Sequence, residues 1–110
     1  MERSKLQSYL GFCIRARKIV FGVDNIEKER RGVFLLIGDA ALGESSFKTV
    51  LGASEKFACP LLIAEKGVLG EALYRPTVKA VAIKDKHLAE AAIKAAESEP
   101  QFKFYSGGNN

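Results

Sequence analysis

The sequence is poor in the residues that most often build metal and redox sites. It has a single histidine, His87, and two cysteines, Cys13 and Cys59, which stand far apart in apolar stretches and form no CxxC pair. A cysteine–histidine zinc site is therefore not expected, and the two thiols are expected to be buried in a protein of a reducing compartment. We predict neither a metal ion nor a cofactor.

Long apolar runs are also missing. Stretches such as Val33–Ile37 have only five apolar residues in a row, whereas a helix that crosses a bilayer needs about 20. The first residues lead into an amphipathic pattern and not into the apolar core of a secretory signal. We therefore expect a cytoplasmic protein without a membrane partner.

The chain contains neither internal repeats nor a linker, and its 110 residues suit one hydrophobic core. We predict a single domain over residues 1–100. Residues 101–110 end in Ser-Gly-Gly-Asn-Asn and are predicted to form a partly flexible tail.

Helical and strand patterns alternate along the chain. Helical spacing of apolar residues predicts helices near residues 4–16, 24–31, 46–58, 68–73 and 88–97. Short apolar runs predict four strands, near residues 18–21, 33–37, 60–64 and 78–83. This alternation predicts an α/β fold, a three-layer α/β/α sandwich around a small mixed four-stranded sheet.

Positive charge is concentrated in the first third of the chain. Residues 1–32 hold eight basic and four acidic residues, whereas residues 33–110 hold nine of each, so the net charge of +4 belongs to the first segment. Such a concentration suits a polyanion such as nucleic acid, although it is also compatible with a solvated surface.

No group of residues forms a recognisable catalytic set. The segment Gly38–Ser45 has the glycine and serine spacing of a P-loop, but Glu44 stands where the phosphate-binding lysine is required. His87 has no partner from which a general base could be assembled. We predict that the protein is not an enzyme.

The segment 16–28 is the strongest candidate for a binding site. A basic turn leads through Gly22 to a predicted helix start with Asp24 and Asn25, and Lys28 follows one turn later. Amide groups at a helix start attract phosphate oxygens, and side chains there can reach base edges. The pattern therefore favours contact with RNA.

A purely structural interpretation of the same segment is equally open. Asp24, followed three residues later by Glu27, resembles a capping box, which would begin the second helix. Glu27 and Arg31 would then form an exposed i, i+4 pair on that helix.

The order of several segments resembles the kink-turn-binding ribosomal-protein superfamily, L-seven-Ae/L-thirty-e, and in style its short bacterial ribosomal-like members. The matching segments are Leu10–Gly22, Leu35–Ala40, Cys59–Leu62, Leu69–Ala72 and Arg75–Ile83. The resemblance implies an α/β/α sandwich that binds structured, kink-turn-like RNA, with ribosomal RNA and the ribosome as the expected partners.

In RNA-binding members of that superfamily, a glycine precedes an asparagine–glutamate pair and a lysine at the start of the second helix. Gly22, Asn25 and Lys28 match those positions at least in part, whereas Asp24 puts a carboxylate where the family has an amide. The predicted RNA-binding residues are Arg15, Arg17, Lys18, Gly22, Asp24, Asn25, Lys28, Arg31 and Arg75.

Two other functions stay open at this point. The first is a protein-interaction adaptor on the same fold that does not bind RNA, because a fold does not determine a function. The second is a fragment related to the RNA-recognition domain of ribose methyltransferases, although no residues for a methyl donor are recognisable.

Overall fold

The structure is a computed structural model that describes residues 4–106, in which five helices alternate with five strands. The helices are α1 (Lys5–Arg15), α2 (Val23–Glu27), α3 (Glu44–Phe57), α4 (Val68–Leu73) and α5 (Lys86–Ala96). The strands are β1 (Ile19–Phe21), β2 (Leu35–Asp39), β3 (Leu61–Ala64), β4 (Ala80–Ile83) and β5 (Phe102–Ser106). Within this described part, none of the helices combines the length and the apolarity needed to traverse a bilayer.

The strands form one open mixed sheet in the order β1-β4-β2-β3-β5. Strands β2 and β3 are parallel, and the other neighbouring pairs are antiparallel. Every residue of β2 and β4 is buried, which explains why Leu35–Ile37 and Ala80–Ile83 are apolar without alternation. Strand β2 ends in Gly38 and the buried Asp39. The predicted α/β class and the mixed sheet are confirmed.

The prediction of four strands is wrong, because β5 lies in the segment that was predicted to be a partly flexible tail. Strand β5 pairs antiparallel with β3, and Phe102 lies opposite Ala64 and is buried. An edge strand needs only one apolar residue in two on a single face, so its sequence signal is weak. The tail prediction is therefore wrong for residues 102–106, while residues 107–110 lie outside the described residues.

Helices cover both faces of the sheet, and each face has its own apolar cluster. On one face, Leu10 of α1, Leu69 of α4 and Ala92 of α5 belong to the same cluster as Ile37 of β2. On the other face, Ile26 of α2 and Val50 of α3 cluster with Leu36, the neighbour of Ile37 along β2. The alternation of side chains along β2 thus separates the two clusters.

Helix α2 differs most from its prediction. Its N-cap is Gly22, with no side-chain hydrogen bond, and the exposed Asp24 lies inside the first turn, so the predicted capping box is wrong. The helix ends at Glu27 and not near Arg31, which also rules out the i, i+4 pair between those two residues. The following Glu29 is held outside the helix, because Lys84 Nζ lies 2.5 Å from its carboxylate and Lys56 Nζ donates to its carbonyl oxygen at 2.9 Å.

Both cysteines are buried, and this burial predicts a fall in stability at alkaline pH. Burial raises the pKa of the Cys13 thiol to about 11, with a further contribution from the charge of Asp85, and it raises the pKa of Cys59 to about 11 as well. The unfolded thiols, with an ordinary pKa of 9.0, release their protons first. The free energy of unfolding should therefore fall as the pH rises from 9 towards 11.

Urea unfolding at several pH values across that range checks the expectation. Other groups also titrate there, so the informative quantity is the difference between the native chain and a variant with Cys13→Ala and Cys59→Ala. The variant should lose stability less steeply. Equal slopes for the two proteins would contradict the assignment.

Candidate nucleic-acid interface

The turn between β1 and α2 organises the candidate interface. Gly22 has φ 91° and ψ 148°, a backbone conformation that side-chain-bearing residues rarely adopt. Its N–H donates to the carbonyl oxygen of Ala80 in β4 at 2.9 Å, and its own carbonyl oxygen accepts from the N–H of Ile26 at 3.0 Å. The turn is thus anchored both to the sheet and to α2, which places Asp24 and Asn25 at the surface.

Asn25 of α2 is oriented by a hydrogen bond to the preceding strand β1. Its Nδ2 donates to the carbonyl oxygen of Phe21 at 2.9 Å, and since a carbonyl can only accept, this bond fixes which end of the amide faces the backbone. The remaining Oδ1 is an acceptor, as are the carboxylate oxygens of the exposed Asp24. The pair therefore suits hydrogen-bond donors, such as the amino and imino groups of a guanine.

A groove of about 400 Å³ runs beside this turn. Three segments that are distant in sequence line it: residues 21–23, the β2–α3 loop and first turn of α3 with Leu42, Gly43 and Ser46, and residues 77–80 before and at the start of β4. The antiparallel pairing of β1 with β4, in which Phe21 lies opposite Val81, brings the first and the third segment together.

The loop between α4 and β4 packs directly on the backbone of α4. A Cβ atom at Gly70 would lie 3.0 Å from Cα of Pro76 and 3.1 Å from the carbonyl oxygen of Arg75, so a side chain here would require the loop backbone to shift. Two hydrogen bonds close the loop: the Arg75 N–H donates to the carbonyl oxygen of Gly70 at 2.9 Å, and the Val78 N–H donates to the carbonyl oxygen of Arg75 at 3.0 Å. This loop, which supplies residues 77–79 of the groove lining, is thus fixed as one wall of the groove.

Arg75 and Lys79 supply positive charge at this wall. The guanidinium carbon of Arg75 lies 4.6 Å from the centroid of the Phe21 ring. This cation–π contact holds the positive charge beside Phe21, the residue before Gly22. Lys79 is exposed and lines the groove itself. Lys79 is absent from the residues predicted from sequence, because its proximity to Gly22 follows from the pairing of β1 with β4 and from no local pattern.

A buried carboxylate fixes the ends of two neighbouring loops. Asp39 is only 2% exposed, and its two oxygens accept from the N–H groups of Ala41 at 2.6 Å and Gly67 at 2.9 Å. Its own N–H donates to the carbonyl oxygen of Lys79 at 2.8 Å. Asp39 therefore connects the β2–α3 loop, the start of α4 and the approach to β4, and it lies in the segment that has P-loop-like spacing.

The nine predicted residues do not form one patch. Gly22, Asp24, Asn25 and Arg75 lie at the groove end of β1. Because β1 has three residues, its other end is about 10 Å away. Four of the predicted residues, Arg17, Lys18, Lys28 and Arg31, are associated with that end, and all four are exposed. Arg15, also exposed, ends α1 and lines a separate groove together with Tyr74.

Contacts around Lys84 show how this second group is arranged. The Lys84 N–H donates to the carbonyl oxygen of Lys18 at 2.8 Å, and the Lys84 ammonium pairs with Glu29, next to Lys28. Arg17, in the turn before β1, has φ 58°, a left-handed conformation. The second group is thus a basic surface that one acidic side chain neutralises in part.

Metal-binding geometry is not found at either end of β1. Within residues 4–106, no three histidine, cysteine, aspartate or glutamate side chains lie close enough together to hold a metal ion. His87 is exposed in the first turn of α5.

Neither a family model nor a curated protein sequence matches this chain. Among solved structures, it is similar to a protein of unknown function from Bacillus halodurans, with a TM-score of 0.75 and 20% sequence identity. The match covers 87% of this chain and 100% of that chain. At this identity the likeness concerns the fold alone.

Proposed function

We propose that this protein binds structured RNA, in particular a kink-turn-like element, without catalysing a reaction. The observation that carries the proposal is the arrangement around Gly22. Two exposed hydrogen-bond acceptors, Asp24 and Asn25, follow Gly22 and Val23, which line the groove. Of two nearby cations, Lys79 lines the groove and Arg75 lies over the ring of Phe21, which also lines it. Acceptors suit base edges and cations suit phosphates.

Charge on the second basic surface strengthens this proposal. An RNA helix presents phosphates over a distance much longer than the roughly 10 Å of β1, so Lys18 and Lys28 can contact a flanking helix while the groove contacts the kink. In this arrangement phosphate contacts provide most of the affinity, and Asp24 and Asn25 provide selectivity.

The resemblance of the sequence to the kink-turn-binding superfamily supports the same function, and so do the helices on both faces of the sheet, which fit the α/β/α sandwich that the resemblance implies. The ribosome is the partner we propose, and the cytoplasm is the compartment, since the described cysteines Cys13 and Cys59 are buried free thiols.

Alanine substitutions at the groove test this proposal. Arg75→Ala and Lys79→Ala should each weaken binding to a kink-turn RNA by about 1–2 kcal/mol and reduce the slope of log affinity against log salt by about one. Lys94→Ala, an equal loss of charge on the last turn of α5, is the matched control and should change neither quantity. Equal effects from all three substitutions would mean that general charge, and not the groove, holds the RNA.

One observation favours a protein-binding adaptor as a second candidate. Residues of the paired strands β3 and β5 line a hollow of about 370 Å³, among them Ile63, Phe104 and Tyr105, and Tyr105 is 53% exposed. Apolar surface of this kind suits a protein partner. An adaptor of this class would show no steep salt dependence towards RNA, so the salt titration described above separates the two functions.

A further inference from the structure

We propose that a second groove, between α1 and α4, stacks an unpaired base of the RNA. This aromatic groove has a volume of about 180 Å³, and its lining includes Gln7, Gly11, Phe12, Arg15 and Tyr74. The inference rests on the proposed RNA binding and adds a site to it, because none of the contacts at Gly22 involves this groove.

Two exposed aromatic rings and a cation form the walls. Phe12 is 46% exposed and Tyr74 is 76% exposed, so both side chains are accessible from solvent. The guanidinium carbon of Arg15 lies 5.5 Å from the centroid of the Phe12 ring, and Gln7 Nε2 donates to the Tyr74 hydroxyl at 3.4 Å. Flat aromatic and guanidinium surfaces of this kind stack nucleobases, and the arginine also attracts phosphate.

Tyr74 occupies a backbone position that does not suit it. It is the C-cap residue of α4 with φ 56° and ψ 33°, a left-handed conformation that glycine and asparagine adopt more readily than a bulky aromatic residue. Because most of the ring is exposed, its burial does not offset this strain. A tyrosine in such a position points to a role outside folding.

Gly11 is a second residue at the groove whose type does not suit its backbone position. It lies inside α1, where glycine is a weaker helix former than alanine, and a Cβ atom there would have no heavy atom within 4 Å. A side chain at Gly11 would instead project into the groove. Gly52 in α3 has equally open surroundings, but its neighbours include no comparable pair of exposed rings.

The position of the aromatic groove favours RNA as its occupant. Tyr74 is followed directly by Arg75, which stacks on Phe21 beside the Gly22 turn, so the two sites are adjacent along one loop. Arg15 and Arg75 give this stretch a positive charge that complements a phosphate backbone. A strand that leaves the structured element at the first site would pass the second.

Short oligonucleotides test the inference separately from the kink-turn. A single-stranded adenosine hexaribonucleotide and an abasic ribose-phosphate oligomer of the same length are titrated at low salt by fluorescence anisotropy. The adenosine oligomer should bind about tenfold more tightly, since only it can stack. Tyr74→Asn and Gly11→Gln should each remove most of that difference, while the melting temperature stays equal or rises because both residues suit their backbone positions better.

Tyr105→Ala and Gly52→Gln are the matched controls, and both should bind the adenosine oligomer as the native chain does. Equal binding of the two oligomers, or no effect of Tyr74→Asn and Gly11→Gln, would overturn the inference. A preference for an aromatic peptide over the adenosine oligomer would overturn it too, in favour of a protein partner. If the native chain binds the adenosine oligomer but does not bind a kink-turn RNA, the proposed function is refuted and the aromatic groove is not.

Discussion

Replacing Gly22 by alanine is expected to lower the free energy of unfolding by about 2 kcal/mol and to weaken RNA binding at the same time. The combination of φ 91° and ψ 148° strains any residue that has a Cβ atom. A Cβ atom at Gly22 would meet no heavy atom within 4 Å, so the loss would come from the backbone alone. If the turn relaxed instead, the bond from Asn25 to Phe21 would break and the acceptor pair would move.

Urea unfolding and an RNA titration on the same variant measure both effects. Gly52→Ala is the control, because this helical glycine also has open surroundings and lacks the positive φ, so alanine there should raise stability by about 0.5–1 kcal/mol. A Gly22→Ala variant as stable as the native chain would mean that the turn adapts. RNA binding that survived in such a variant would remove the turn from the interface.

Asp39→Asn should have the second large effect, a loss of about 2–3 kcal/mol in the free energy of unfolding. Both carboxylate oxygens accept backbone N–H groups, at 2.6 Å from Ala41 and 2.9 Å from Gly67. Asparagine has nearly the same shape, so no cavity forms, but one of its ends is a donor and would face a donor. The β2–α3 loop and the start of α4 should loosen together.

Hydrogen exchange at the Ala41 and Gly67 amides reports this loosening directly, alongside urea unfolding. Asp85→Asn is a matched control, since Asp85 caps α5 by accepting a single bond from the Leu88 N–H at 2.8 Å, and asparagine caps a helix equally well. If Asp39→Asn proved no more damaging than Asp85→Asn, the buried carboxylate would have no special structural role.

Apolar periodicity was sufficient to predict the five helices and the first four strands in their order along the chain. The apolar runs that overlap β2 and β4 lie in strands that are buried on both faces of the sheet, and a continuous apolar run indicates such burial. The failures have equally physical causes. Strand β5 has one buried face at the sheet edge, and α2 begins at Gly22 through a positive φ that no capping residue marks. Local patterns carry little information about either feature.

The candidate site could be predicted only in part, because it depends on contacts between distant segments. Gly22, Asp24 and Asn25 are neighbours in sequence, so a local pattern was enough to select them. Lys79 reaches the groove through the pairing of β1 with β4, and Tyr74 and Phe12 line one groove only because α4 packs beside α1. Tertiary contacts of this kind have no signature in a single sequence.

Kink-turn recognition is tested by a titration against a labelled kink-turn RNA and a matched RNA in which Watson–Crick pairs replace the sheared G·A pairs of the kink-turn. Each is measured at two salt concentrations. We expect tight binding to the kink-turn RNA, weaker binding to the matched RNA, and affinities that fall steeply as the salt concentration rises. Equal affinity for both RNAs would contradict kink-turn recognition, and binding to neither would contradict RNA binding itself.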